Sequence, residues 1–293
     1  LKAMNSLENM AMLNINRPET RQTDEIDMTV VGRVLGAYDI GDLVSAEMLG
    51  GGRYEDTRPI LITTTKGKYV LRPSRFSKER VDYENRLVRF LRSNDFPALN
   101  VIDDKEGHSY FEMRGLVYSV NEFREGPVLR WGEIAGAKLR NAAILQAKLH
   151  QLTEGFEEGF DSTAYLVENS PDFGELGKGL FINKHRIALA YAEGLDTQEL
   201  SETQKLFLFN HELYLKICLT QVEKLRRNLP IEVLGRLPKC VIHGDYYSRN
   251  IVWRGDEIDL VLDWETAGKM PRVYDEANEL IIDVMSRGNT DLK

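Results

Sequence analysis

Three polar residues toward the C-terminal end could do chemistry together. Asp245 and Asn250 stand five apart in VIHGDYYSRN, and Asp263 follows thirteen residues after Asn250 in VLDWE. Each borders a short apolar run, which puts all three in loops at strand ends. Phosphoryl transfer needs such a set: one carboxylate to orient a hydroxyl, and two oxygen ligands for a magnesium ion bridging nucleotide phosphates. Singly, each is also an ordinary turn residue or strand-end cap. Their order and spacing together favour the catalytic reading.

The spacing of Asp245 and Asn250 is that of the base and the metal-binding Asn in protein-kinase catalytic loops. More specifically, HGDYYSRNIVW…IDLVLDWETAG resembles the signature of the aminoglycoside phosphotransferase, choline kinase and type II homoserine kinase superfamily. His-Gly-Asp stands where protein kinases have His-Arg-Asp, and a bare Asp replaces Asp-Phe-Gly. The likeness extends over about residues 29–285. It implies an α+β, protein-kinase-like bilobal fold with a small antiparallel-sheet N-lobe and a larger helical C-lobe. It further implies ATP and Mg2+ as cofactors and a small-molecule hydroxyl as acceptor. Carried onto this chain, it makes Asp245 the catalytic base, Asn250 and Asp263 the magnesium ligands, and His243 a buttress of their loop.

The nucleotide lobe supplies further parts. Gly50, Gly51 and Gly52 lie between two strand candidates, where a phosphate-covering loop belongs. Glycine permits close backbone approach and aims N–H groups at phosphate, although a hairpin turn uses it equally well. The strand ending YVLRPSR places Arg72 where the resembled antibiotic kinases usually carry Lys. Glu84, twelve residues on, is its implied ion-pair partner. An Arg keeps the charge but contacts phosphate as a fork rather than a point. In YSVNEFREGPVL, the residues Glu122, Phe123 and Arg124 match the linker whose main chain binds adenine in that family.

Elements must position these residues. MTVVGRVLGAYDI has helical apolar spacing, and the Val-, Ile-, Thr- and Tyr-rich runs from Leu43 to Arg75 read as successive antiparallel strands, with a turn at Lys66-Gly67-Lys68. Val81, Leu87, Val88 and Leu91 line one side of a charged helix that stops before Pro97. SYFEMR and LVYSVNEF are two more strands. Helical spacing returns over 133–152, through Ile134, Ala137, Leu145, Leu149 and Leu152, and over 203–227. Ile251–Trp253 and Leu260–Leu262 flank the turn Arg254-Gly255-Asp256 as a hairpin. The expected division is a flexible segment 1–27, an N-lobe 28–121 and a helical C-lobe 122–293 with the catalytic loop. His150 and Asp275 read as structural. Trp253, Trp264, Tyr246 and Tyr247 either shape a substrate pocket or pack the core.

Composition narrows the classes. At 293 residues the chain is one large domain or two packed lobes. Its 38 basic against 46 acidic residues, net −8, argue against nucleic acid as a partner. Two cysteines, Cys218 and Cys240, make neither a disulfide framework nor a zinc site, so a reducing, cytoplasmic setting is expected. No apolar run is long enough for a membrane span. No Ala-Pro-Glu segment favours a protein kinase, and a non-catalytic nucleotide-binding module is the rival from another class. From residue 240 onward eleven acidic residues face six basic ones, which leans toward a cationic acceptor such as an amino acid, amino alcohol or amino sugar. Thirty residues follow Asp263, whereas the resembled family continues for several helices. The expectation is a chain trimmed on that side, binding nucleotide but phosphorylating poorly.

Overall fold

Alternating burial in ILITT and the turn at Gly67 dictate a meander, and the chain builds one. The computed structural model describes residues 26–50, 57–130, 133–156 and 236–279, with single helical positions between 213 and 233. Strands β1 (Leu43–Met48), β2 (Ile60–Thr64), β3 (Lys68–Ser74), β4 (Val101–Ile102), β5 (Phe111–Met113) and β6 (Leu116–Glu122) form one antiparallel sheet. Its order is β1-β2-β3-β6-β4, with β5 also paired to β6. Helix α1 (Met28–Ala37) is capped by the Asp27 carboxylate, which accepts from Thr29 N–H at 3.0 Å. Its Val30, Val31 and Val34 form an apolar cluster with Ile60, Ile62, Leu71 and Val120 of the sheet. That face of the sheet is thereby closed.

Helix α2 (Lys78–Ser93) starts at Ser77, whose hydroxyl accepts from Arg80 N–H at 3.4 Å. Val81, Leu87, Val88 and Leu91 are buried as their spacing requires, and so is Glu84 within the same stripe. Leu87, Val88 and Leu91 belong to a second apolar cluster with Val101, Ile251, Val261 and Trp264. Helix α3 (Gly136–Thr153) follows. Its buried stripe runs through Ala142, Gln146, Leu149, His150 and Thr153, while Ala137 is exposed rather than part of the core. Burial follows the neighbours of α3, and the Thr153 hydroxyl donates to the Val241 carbonyl at 2.7 Å.

The segment that carries Asp245, Asn250 and Asp263 rests on two small ladders. Strand β7 (Lys239–Ile242) pairs with β10 (Gly268–Pro271), and β8 (Ile251–Arg254) pairs with β9 (Glu257–Val261). A short helix α4 (Val273–Glu279) ends the described chain. Residues Asp24–Ser162 and Pro238–Lys293 make one compact unit, to which all these elements belong. Of the 203–227 helix, the described positions, Leu213 and Ile217 among them, are helical; its remainder, Gly51, Gly52 and most of 154–180 lie outside the described residues. No described helix is long and apolar enough to cross a membrane.

Candidate active site

The loop from His243 to Asn250 bridges β7 and β8, and one buried carboxylate fixes its first turn. Asp275 is fully buried and accepts from the backbone N–H of His243 at 2.9 Å and of Gly244 at 2.7 Å. His150 Nε2 approaches the same carboxylate at 3.2 Å. Gly244 has φ +82, and a Cβ there would stand 2.9 Å from the Thr266 carbonyl oxygen. The glycine of His-Gly-Asp is therefore required by both backbone conformation and space. His243 Nδ1 accepts from Asp245 N–H at 3.2 Å, and its Nε2 donates to the Leu262 carbonyl at 2.8 Å. The imidazole thus ties the Asp245 loop to the residue before Asp263. His150 and Asp275 are structural in this geometry, as their sequence context implies.

Asp245 and Asn250 meet. The Asn250 amide donates to the Asp245 carbonyl at 2.9 Å and to its carboxylate Oδ2 at 3.2 Å. Leu262 N–H donates to the Asn250 carbonyl at 2.8 Å, which ties the residue before Asp263 to Asn250. Asp263 itself takes the left-handed conformation, φ 60 and ψ 61, which Asp tolerates better than most residues. Tyr247 is half-buried near Asp245; burial, then the Asp245 charge, push its phenol up to about 12.

The sheet contributes a cation to this loop. Arg72 on β3 is ion-paired with Glu84 of α2. Its Nη2 also lies 3.4 Å from Asp263 Oδ1 and 3.3 Å from Glu265 Oε2. Burial alone would disfavour the guanidinium charge; Glu84, Asp263 and Glu265 outweigh it and hold its pKa above the ordinary arginine value. Glu265 is shifted up, by burial first and by Asp263 second. Arg80 completes the group, donating to the Glu265 carbonyl at 2.8 Å and to the Ala267 carbonyl. Sequence reasoning paired Arg72 with Glu84 but missed Glu265 and Arg80. The available signal was a second carboxylate two residues after Asp263, indistinguishable in sequence from a surface charge.

The donor set suits a hard divalent cation. Asn250 spends its amide N on Asp245, so its carbonyl oxygen is left over. The side chains of Asp263 and Glu265 are 41% and 38% exposed. Oxygen donors of this kind select magnesium or calcium over softer metals.

Gly50 lies after β1 with open space where a Cβ would stand, and Leu49 N–H donates to the Pro59 carbonyl at 2.9 Å to close the ladder. At the end of β6, Glu122 N–H donates to the Asn100 carbonyl and Phe123 N–H to the Lys68 carbonyl, both at 2.9 Å. Arg124 Nε sits 3.6 Å from Glu122 Oε1, and its backbone N–H and carbonyl have no partner among the described residues. Trp253, Trp264 and Tyr246 are fully enclosed and belong to the apolar cluster rather than to a pocket wall.

Comparison with known proteins shows what the chain is similar to. Residues 51–280 match the model of the phosphotransferase enzyme family. A homoserine kinase of Caulobacter sp. (strain K31) is 26% identical over 224 residues, covering 76% of this chain; the chain spans 59% of that protein's length. An aminoglycoside phosphotransferase structure from Alicyclobacillus acidocaldarius superposes with a TM-score of 0.61 at 17% identity, over 89% of this chain and 72% of that one. Amicoumacin kinase, solved with AMP-PNP, Ca2+ and its antibiotic, gives 0.59 at 11% identity, over 89% of this chain and 70% of that one. The architecture is thus the α+β, protein-kinase-like fold of those enzymes, and the chain belongs to the phosphotransferase enzyme family.

Proposed function

We propose that this chain carries the nucleotide-binding and phosphoryl-transferring parts of an ATP-dependent kinase that phosphorylates a hydroxyl of a small molecule. The observation that carries the reading is the convergence of Arg72 and Glu84 from the sheet lobe on Asp263 and Glu265 from the catalytic segment. Residues nearly two hundred positions apart have no structural need to share one charged cluster. A phosphate–metal site supplies that need.

In this reading Asp245 takes the proton of the acceptor hydroxyl as its oxygen attacks the γ-phosphorus, and ADP leaves. Asn250 holds the Asp245 carboxylate in place through its amide and would offer its carbonyl oxygen to a divalent cation. Asp263 and Glu265 would be the further oxygen donors, and a divalent cation held there would offset charge on the transferred phosphoryl group. Glu84 anchors Arg72, whose remaining N–H groups are available to phosphate oxygens. Gly50 to Gly52 cover the phosphates, and the backbone of Glu122 to Arg124 takes the base. The proposed lobes are 28–121 and 122–293.

The acceptor is an amine-bearing alcohol. The acidic excess after residue 240 favours a cation, and the matched proteins include kinases of homoserine and, at a TM-score of 0.50, aminopropanol. A screen for ADP release over amino acids, amino alcohols and amino sugars tests the reading, with Asp245→Asn as the control. Release with a peptide substrate and with none of the small compounds would replace it by a protein-kinase activity. Tight Mg·ATP binding with no turnover on any acceptor would favour a non-catalytic nucleotide-binding module.

A further inference from the structure

Strand β6 carries a residue that its surroundings do not explain. Asn121 is 3% exposed, and its Oδ1 is enclosed without a hydrogen-bond partner. No partner for its Nδ2 occurs among the described residues either. A buried carboxamide left unpaired costs free energy, and a valine, as at Val117 and Val120 of the same strand, would suit the position better. Nothing in the packing repays that cost, so the group is available to something the chain binds.

Its location says what. Asn121 is paired with Val70 on β3, as Ser119 is with Arg72. Cross-strand partners share a face, so Asn121 lies on the face of Arg72, two residues along the sheet, or about 7 Å. Val70 is only half-buried, so this face is not packed shut. In the other direction, Asn121 adjoins Glu122 and is three residues from Arg124, whose backbone N–H and carbonyl are unclaimed. A purine held on the Arg124 backbone, with its phosphates toward Arg72, turns the substituent at its 6-position to Asn121.

On the proposed nucleotide site, we infer that Asn121 reads that 6-substituent and lets the enzyme take adenine and guanine triphosphates alike. A carboxamide offers an acceptor at one end and two donors at the other. Neither end is tied down here, so a half-turn of the amide breaks no bond. Its oxygen accepts from a 6-amino group and its NH2 donates to a 6-oxo group.

Equilibrium titrations with Mg2+ and ATP, GTP or purine riboside triphosphate, which has no 6-substituent, test this on the wild-type chain and on Asn121→Leu. The wild type should bind ATP and GTP within a few-fold of each other, and the unsubstituted analogue about tenfold more weakly than either. Asn121→Leu should remove that gap by weakening ATP and GTP only. Its unliganded melting temperature should not fall, because no hydrogen bond is lost. If leucine prevents folding, Asn121→Val takes its place. An undiminished gap in the variant, or equal weakening of all three ligands, would overturn the assignment while leaving the nucleotide site standing. A wild-type chain that binds none of the three would remove the nucleotide reading itself.

Discussion

At the scale of single residues, the site is a balance of charge. Arg72 and Arg80 stand among Glu84, Asp263 and Glu265, two cations beside three carboxyl groups. Asp263→Ala removes a proposed metal ligand and one of the three carboxylates around Arg72. Calorimetry should then find Mg·ATP affinity lost by about a hundredfold or more, with the Arg72–Glu84 pair and the fold retained. Unchanged affinity would take Asp263 out of the metal site. Asp245→Asn keeps size and shape but not the carboxylate. Turnover should fall by about a hundredfold or more while nucleotide affinity changes little, because the loss lies in the transition state. Steady-state kinetics on a verified acceptor, with a parallel binding measurement, separates the two effects.

At the scale of elements, two glycines decide how segments dock. Gly126 passes so close to β8 that a Cβ would collide with Val252 Cγ1, and Trp253 N–H donates to the Pro127 carbonyl at 2.9 Å. Gly126→Ala should cost about 1–3 kcal/mol through overpacking, read from the urea midpoint. Gly244→Ala adds backbone strain to a clash with Thr266 and should displace Asp245, so turnover should fall further than stability. The β4–β5 connection gives a pH test away from the site. Asp104 accepts from Glu106 N–H at 2.9 Å and His108 N–H at 2.8 Å. Burial raises its pKa, but these bonds outweigh burial and leave it below the ordinary value of 3.8. A depressed carboxylate stabilises the fold above its unfolded pKa, and that contribution is lost as pH falls through the folded one. Asp104→Asn should therefore be slightly less stable than wild type at neutral pH. The difference should close as pH falls below the ordinary carboxylate range and through the lowered folded-state pKa, as followed by denaturant midpoints.

At the scale of the molecule, one apolar cluster packs a face of the sheet against α1, and the other joins α2 to the β8–β9 hairpin. Val261 N–H donates to the Pro97 carbonyl at 2.7 Å, so the α2–β4 connection is also tied to β9. A ligand held by Arg72 and Asp263 together should stabilise both parts as one. At about a hundred times its dissociation constant, Mg·ATP should add about 2.7 kcal/mol. Differential scanning calorimetry should show the transition moving upward with nucleotide, and a stabilisation of only about 0.4 kcal/mol or less for Asp263→Ala at the same ligand concentration.

The sequence by itself determined the elements whose signals are local. Helices α1 and α2, the meander β1 to β3 around Gly67, strand β6 and the hairpin at Gly255 all follow from periodicity and turn residues. The loop carrying Asp245 and Asn250 was legible too, because a five-residue spacing within one loop nearly fixes their meeting. Strand β10 was not legible: GKMP contains glycine and proline, and it is a strand only because β7 offers it a partner. The two-residue β4 is likewise made by its neighbour β6. Only the tertiary structure decided that Glu265 and Arg80 join Arg72 and Asp263, that Ala137 faces solvent, and that Asn121 is buried unpaired. A charged or polar side chain has the same appearance in sequence whether it ends in water or in a cluster. Its environment is set by residues far along the chain, and folding alone brings those residues near.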